Sequence, residues 1–157
     1  ARKYIKMKSI EGNFDNSDVN DLLKKHFIEL RSVSPAGSTH VLDIDGLKDP
    51  SIKFWSLWEG KKLIGCGALK FLEKGHGEFK SIRVADEFKK KGIGERIINH
   101  LIEEAKKLKI SKLSIETGAG EFFLPARNLF SKFGFKSCPP FAHYKEDPNS
   151  CYYSLNL

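Results

Sequence analysis

The chain is poor in the residues that announce several common chemistries. Its 157 residues include three cysteines, Cys66, Cys138 and Cys151. Their number is odd, their spacing is scattered and no C-x-x-C pair occurs, so they outline neither a disulfide framework nor a thiolate metal site, and no metal is expected. They read as free thiols of a reducing cytoplasm, which sets the expected location. Cys66 sits inside Leu-Ile-Gly-Cys-Gly-Ala-Leu, an apolar strand pattern in which burial makes a thiol inert. A long uncharged apolar run is also lacking, so no transmembrane helix and no membrane partner are expected. The basic opening ARKYIKMKSI never becomes the continuous apolar core of a secretory signal. There is no repeat, no low-complexity tract and no linker, and the length suits one domain over 1–157.

What the chain does have is an ordinary globular composition, 40% hydrophobic and 11% aromatic, with a net charge of +7. That charge favours an anionic ligand, and nucleic acid and phosphorylated cofactors both qualify. Lys24, Lys25, Lys106 and Lys107 fall on predicted helix faces among Asp and Glu, as on a solvated surface. The aromatics fall in core-like patterns, not on an exposed basic sheet face, so no nucleic-acid partner is expected.

Periodicity gives the elements. Residues 4–10 alternate as a strand. Asn16, Ser17 or Asp18 can cap a helix carrying Val19, Leu22, Leu23, Phe27 and Leu30 on one face. Residues 34–50 read as irregular chain. KFWSLWEG and KLIGCGALKFLE read as a hairpin about Glu59-Gly60, where Gly65 and Gly67 suggest a bend or a close approach by another backbone. Residues 74–77 read as a turn before the strand GEFKSIRVA, which is followed by a helix from Gly92 to Leu108. KLSIETG is a strand, ARNLFSKFGF a helix with Pro125 in its first turn and Gly134 as C-cap, CPPFAHYKEDPNS a loop and CYYSLNL a last strand. The order describes one α+β domain.

The chemistry is concentrated at Lys89-Lys90-Lys91-Gly92-Ile93-Gly94-Glu95. A glycine-rich turn between a strand and a helix is the general recipe for a pyrophosphate site. The helix's first N–H groups are unpaired, and its macrodipole adds about half a positive charge. The P-loop pattern fails, because Gly94 is followed by Glu-Arg-Ile, and the dinucleotide fingerprint fails at Ile97. A lysine-rich turn beside an ordinary helix start is the plain alternative.

Here the residues carry a resemblance. Lys89 to Gly94 is similar to the acetyl-CoA signature of the GNAT superfamily of N-acetyltransferases: Arg or Gln, two residues, Gly, one residue, then Gly or Ala. Lys89 stands where the family prefers Arg or Gln. The family's second signature, Ala-x-x-Leu-Tyr-x-x-x-Gly-Phe, resembles Ala126 to Phe135, with Phe130 in the tyrosine's place. Stretches such as HVLDIDGL, FWSLWEGKKLIGCGAL and CPPFAHYKEDPNS resemble a bacterial branch of poorly defined substrate. The resemblance implies a layered α/β/α fold, with a mixed, mostly antiparallel, splayed sheet of about six or seven strands and about four helices. It also implies an acyl-CoA-dependent N-acetyltransferase that moves acetyl from acetyl-CoA to a primary amine of a small molecule or peptide by direct attack. A GNAT scaffold that only senses acetyl-CoA is the alternative. Pairing of two such domains through the last strands, a homodimer, is common in the family.

The site implied by the resemblance can be named residue by residue. The N–H groups of Lys90, Lys91, Gly92, Ile93, Gly94 and Glu95 would hold the pyrophosphate, with Lys89 beside them. The pantetheine arm would lie along Ile82 and Val84 like an added strand, and the Ile82 N–H would meet the acetyl oxygen. Thr117 would sit at the splay, and Phe130 would pack against the sulfur. Glu78, 14 residues before Gly92, matches the family's catalytic glutamate and would take the ammonium proton. Strand alternation puts Glu78, Lys80 and Ile82 on one face unless a bulge intervenes. The plain alternative for Glu78 is an edge-strand pair with Lys80 or Arg83. Phe130 has no proton to give, so either Tyr144 or Tyr152 serves as acid, or a thiol with a pKa near 8.5 leaves unaided. Acceptor contacts are sought at His40, Asp43, Arg83, His143, Tyr144 and Asp147, each of which also has a structural reading as a cap, a turn or a buried ring. Arg83 hints at an acceptor with a carboxylate.

Overall fold

A computed structural model describes residues 6–157. The described residues form strands β1 (Met7–Glu11), β2 (Ile52–Glu59), β3 (Lys62–Glu73), β4 (His76–Val84), β5 (Lys112–Gly118), β6 (Lys136–Ser137) and β7 (Ser150–Asn156), with helices α1 (Ser17–Val33), α2 (Ile44–Leu47), α3 (Ile93–Lys107) and α4 (Leu124–Lys132). The strands make one sheet in the order β1-β2-β3-β4-β5-β7-β6. All neighbours are antiparallel except β4 and β5. This is the mixed, splayed and helix-flanked sheet that the resemblance implies. Residues 4–5 of the expected first strand lie outside the described residues. Among the described residues no helix is long and apolar enough to cross a membrane.

The helices start and stop where their residues dictate. Asn16 caps α1, its side chain accepting from the Asp18 and Val19 N–H groups at 2.9 and 3.1 Å. Val19, Leu22 and Leu23 of α1 are buried as expected, but the next buried position is His26, not Phe27. Gly92 caps α3 with φ 78°, a left-handed conformation that glycine adopts without strain. Ile93, Ile97, Ile98, Leu101 and Ala105 of α3 are buried, each large one contributing about 1.5–3 kcal/mol. Among the described residues four short elements escape the sequence reading, two of them the 3-10 turns Asp86–Phe88 and Glu121–Phe123 and two of them numbered above. The numbered two are α2, capped by Asp43 through the Gly46 N–H at 2.8 Å, and β6, two residues paired to β7. The turn before β4 is also tighter than residues 74–77, because His76 and Gly77 already belong to the strand.

Two hydrophobic layers cover the sheet. One packs α3 and α4 on Leu57, Ile64, Leu69, Phe79 and Leu113. The other packs α1 and α2 on Phe54, Trp58, Cys66 and Ala68. The strand glycines allow the first layer to close: a Cβ on Gly67 would stand 2.9 Å from Leu101 Cδ1, and one on Gly65 would stand 2.7 Å from Ile97 Cδ1. The close approach by another backbone expected here is met at Gly65, where a Cβ would stand 2.6 Å from the Arg83 carbonyl oxygen of β4, whereas Gly67 is approached by side chains of α3 alone.

Candidate active site

The sheet opens between β4 and β5. Their parallel register runs only from His76↔Lys112 to Glu78↔Ser114. Just beyond, β4 carries a bulge, for Cys66 pairs with Arg83 while Ala68 pairs with Lys80. One extra residue is therefore accommodated opposite Gly67, and Ser81 takes φ 52°. The bulge corrects the expected parity. Glu78 and Lys80 face the α1 layer, whereas Ile82 and Val84 pack with the α3–α4 layer. Arg83 joins Glu78 and Lys80 on the α1 side, bonded to Glu29 of α1. Ser81 and Ile82 have no register partner on either neighbouring strand.

A cavity of about 570 Å³ occupies this opening and reaches both faces of the sheet. On the α3–α4 side its wall includes Ile82, Val84, Gly94, Thr117, Leu129 and Phe130. Lys89 and Lys90 stand at its edge, beside the first turn of α3. No side chain caps that turn, so its leading N–H groups have no partner within the helix. Lys90 and Gly92 both have positive φ, 62° and 78°, a backbone form that gathers N–H groups into an anion-sized concavity. Lys89 Nζ lies 3.0 Å from Asp86 Oδ1, and Lys91 lies over the Phe88 ring at 5.5 Å. Bonds from Lys25 and Lys89 hold the Asp86 carboxyl at a pKa of about 2. Ile93 is buried in the core, and Glu95 pairs with Lys132 on the outer surface. Thr117 is buried opposite Cys151 of β7. Phe130 is buried against Phe135, ring centroids 5.7 Å apart, and the Phe123 ring covers Gly118.

On the α1 side lie His26, Glu29, His40, Lys80, Arg83 and Glu116. Glu78 is 1% exposed and does not border the cavity. Its Oε2 accepts from the Tyr144 hydroxyl at 2.6 Å and from Lys80 Nζ at 3.4 Å. Its Oε1 has no partner. Lys80 also donates to Tyr144 Oη at 3.0 Å and to the His40 carbonyl at 3.3 Å. The Tyr144 phenol is driven well above its ordinary pKa by burial, then by the charge of Glu78 and the bond to it. His40 meets Tyr144 edge to face at 5.0 Å, and its pKa is lowered by burial and by Lys80. His143 stacks on the same ring at 4.7 Å. Asp147 accepts from Ser38 at 2.6 Å and from the Asn149 N–H at 2.9 Å, which ties two loops together. Tyr152 donates to the Lys145 carbonyl at 2.7 Å.

Arg83 is engaged from two sides. Nη1 donates to Glu29 Oε1 at 2.6 Å, and Nη2 lies 3.4 Å from both Glu29 Oε2 and Asp86 Oδ1. Cys66, beneath it, has its thiol pushed up to about 12 by burial, so it is no nucleophile. Among the described residues no cluster of three or more His, Cys, Asp or Glu could hold a metal.

Glu78, Lys80, His40 and Tyr144 are thus brought together, while Asp43 serves only its helix cap. Three titratable wall residues were not singled out from sequence: His26, Glu29 and Glu116. His26 and Glu29 lie on α1 in a lysine- and acid-rich stretch that reads as solvated surface. Glu116 follows a buried run in β5, and only the divergence of β4 from β5 makes its position special.

Comparison with known proteins agrees with this geometry. Residues 17–135 match the model of the Acetyltransferase (GNAT) family. The chain is 43% identical over 154 residues to a Bacillus subtilis (strain 168) protein named uncharacterized N-acetyltransferase YsnE, covering 98% of this chain and 99% of that one. A solved Bacillus subtilis acetyltransferase in complex with CoA superposes with TM-score 0.72 at 24% identity, over 97% of this chain and 99% of that one. A GNAT acetyltransferase from Elizabethkingia anophelis with acetyl-CoA bound superposes with TM-score 0.67 at 20% identity, over 96% and 98%.

Proposed function

The chain belongs to the GNAT family of acetyltransferases, and from that premise we propose that it transfers acetyl from acetyl-CoA to a primary amine by direct attack, as one domain over its 157 residues. The observation that carries this reading is the meeting of three features at one cavity: the uncapped first turn of α3, the bulged and register-free Ile82, and the opening between β4 and β5.

Each feature answers a need of the reaction. The N–H groups at residues 90–95, with Lys89 and Lys90 at the cavity edge, suit a pyrophosphate. Val84 pairs with Gly65 on β3 and has no register partner on β5, so that side of β4 is open to the pantetheine amides as to an added strand. The Ile82 N–H is the donor for the oxyanion. Two carboxyls on the α1 side can receive the ammonium proton: Glu78, which the sequence pointed to, and Glu116, which it did not. Tyr144 is bonded to Glu78, Tyr152 to a backbone carbonyl, and Phe130 has no hydroxyl, so the sulfur leaves without a protein acid. That is reasonable for a thiol of pKa near 8.5.

The test is turnover. Acetyl-CoA is mixed with a panel of primary amines, the released thiol is followed and products are identified by mass. Amine-dependent thiol release with an N-acetyl product supports the reading. Acetyl-CoA binding with no thiol release from any amine points to a sensor module instead, the outcome for which the hydroxyl-free Phe130 leaves room.

A further inference from the structure

The charges on the α1 side of the cavity are mostly used up. Lys80 is held by Glu78, and Arg83 by Glu29 and Asp86. Among the described residues Glu116 enters no ion pair, yet it borders the cavity. It stands two positions past Ser114, the last β5 residue in register with β4. Ile115 packs in the α3–α4 layer, so alternation turns Glu116 to the face of Glu78 and Lys80.

Resting on the acetyl-transfer reading, we propose that Glu116 is the carboxylate that receives the acceptor's ammonium group and takes its proton, and that the acceptor is a primary amine with no carboxylate beside its nitrogen.

Access argues for Glu116 over Glu78. Glu78 lies behind Tyr144 and Lys80, outside the cavity wall, and one of its oxygens already accepts from both. A carboxylate in that position orients Lys80 and Tyr144; Glu116 meets the space where an amine would sit. Burial raises the Glu116 pKa; the nearby Ser150 hydroxyl and then Lys80 oppose the rise, and Glu78 and Asp147 add to it, with a net upward shift that moves a carboxyl toward the range of a working base. Tyr152 of β7 is its register neighbour. The missing carboxylate on the acceptor follows from the cations: an α-carboxylate would need a free Lys or Arg, and both candidates on this side are paired.

The step balances. The ammonium gives one proton to the Glu116 carboxylate, leaving a neutral amine and a neutral carboxyl. The amine lone pair forms the C–N bond, and the C–S bond breaks with its electron pair on sulfur. A second nitrogen proton converts the thiolate to CoA thiol, and Glu116 returns its proton to solvent through the cavity.

The test does not depend on finding the natural acceptor. Protein labelled with ¹³C at the glutamate carboxyls is saturated with CoA and titrated with n-butylammonium or with glycine, its signals assigned with Glu116→Gln and Glu78→Gln. The proposal predicts that n-butylammonium shifts the Glu116 resonance, that glycine does not, and that Glu116→Gln binds n-butylammonium about tenfold more weakly while keeping CoA affinity. Glu116→Asp should recover part of the loss. An unmoved Glu116 resonance, a response at Glu78 alone, equal binding by Glu116→Gln or preference for glycine overturns it. Failure of the unsubstituted protein to bind CoA would instead strike the acetyl-transfer reading, and the two failures are told apart in the same titration.

Discussion

At the scale of single residues, one oxygen of Glu78 holds the site's interior together. It accepts from both Tyr144 and Lys80 while its partner oxygen has none. A buried carboxylate that loses a donor bears the desolvation cost of that bond. Tyr144→Phe should therefore lower stability by about 1–3 kcal/mol in urea unfolding, and a change within error would show that the bond contributes nothing. His26 gives a pH signature. Burial lowers its pKa from 6.5 to about 4, with Arg83 adding to the effect. Since the folded value lies below the unfolded one, the unfolded chain holds the proton more tightly. The stability is fully present above pH 6.5, declines as pH falls and is gone once pH passes below about 4. The loss is about 3 kcal/mol. His26→Gln should flatten that part of the stability–pH curve, and an unchanged slope would assign it to other groups.

At the scale of elements, the decisive feature is the β4 bulge. Ser81 holds φ 52° there, and its buried hydroxyl has no partner. Ser81→Gly should be neutral or stabilising by up to about 1 kcal/mol, and Ser81→Val destabilising by about 1–3 kcal/mol, read from urea midpoints. A destabilising glycine would mean that the hydroxyl matters more than the backbone. Much of the element plan was legible: the Asn16 cap, the apolar face of α3 and the Gly92 start are local signals that their own residues dictate. The bulge was not, because it depends on pairing between residues far apart in sequence. That is why Ile82 and Glu78 read as one face and stand on two. The β4–β5 opening was implied by the family resemblance, with Thr117 beside it, but its extent depends on the same distant pairing, and the position of Glu116 on it was not read. Short α2 and β6 carry too few residues for a periodic signal.

At the scale of the whole molecule, the opening in the sheet joins two differently furnished spaces: uncapped N–H groups and lysines on one side, paired charges and a carboxyl on the other. The glycine turn made the first legible in the sequence. The second is assembled from α1, β4, β5 and loop residues, and no local motif marks it. A ligand that bridges the layers should stabilise the fold by about 2.7 kcal/mol at a hundredfold excess over its Kd. With acetyl-CoA that would raise Tm by about 5–10 °C, as scanning calorimetry would show. The measurement that bears most directly on the account is a titration of acetyl-CoA into the protein, with ATP and a short DNA duplex as controls and a Gly94→Leu variant alongside. A Cβ on Gly94 would stand 2.8 Å from Leu129 Cδ2, so the larger side chain crowds the first turn of α3, and circular dichroism checks that the variant is folded. The account predicts saturable acetyl-CoA binding, weak or absent binding of the controls, and loss of binding in the folded variant. No binding of acetyl-CoA, or equal binding of ATP or DNA, would contradict it.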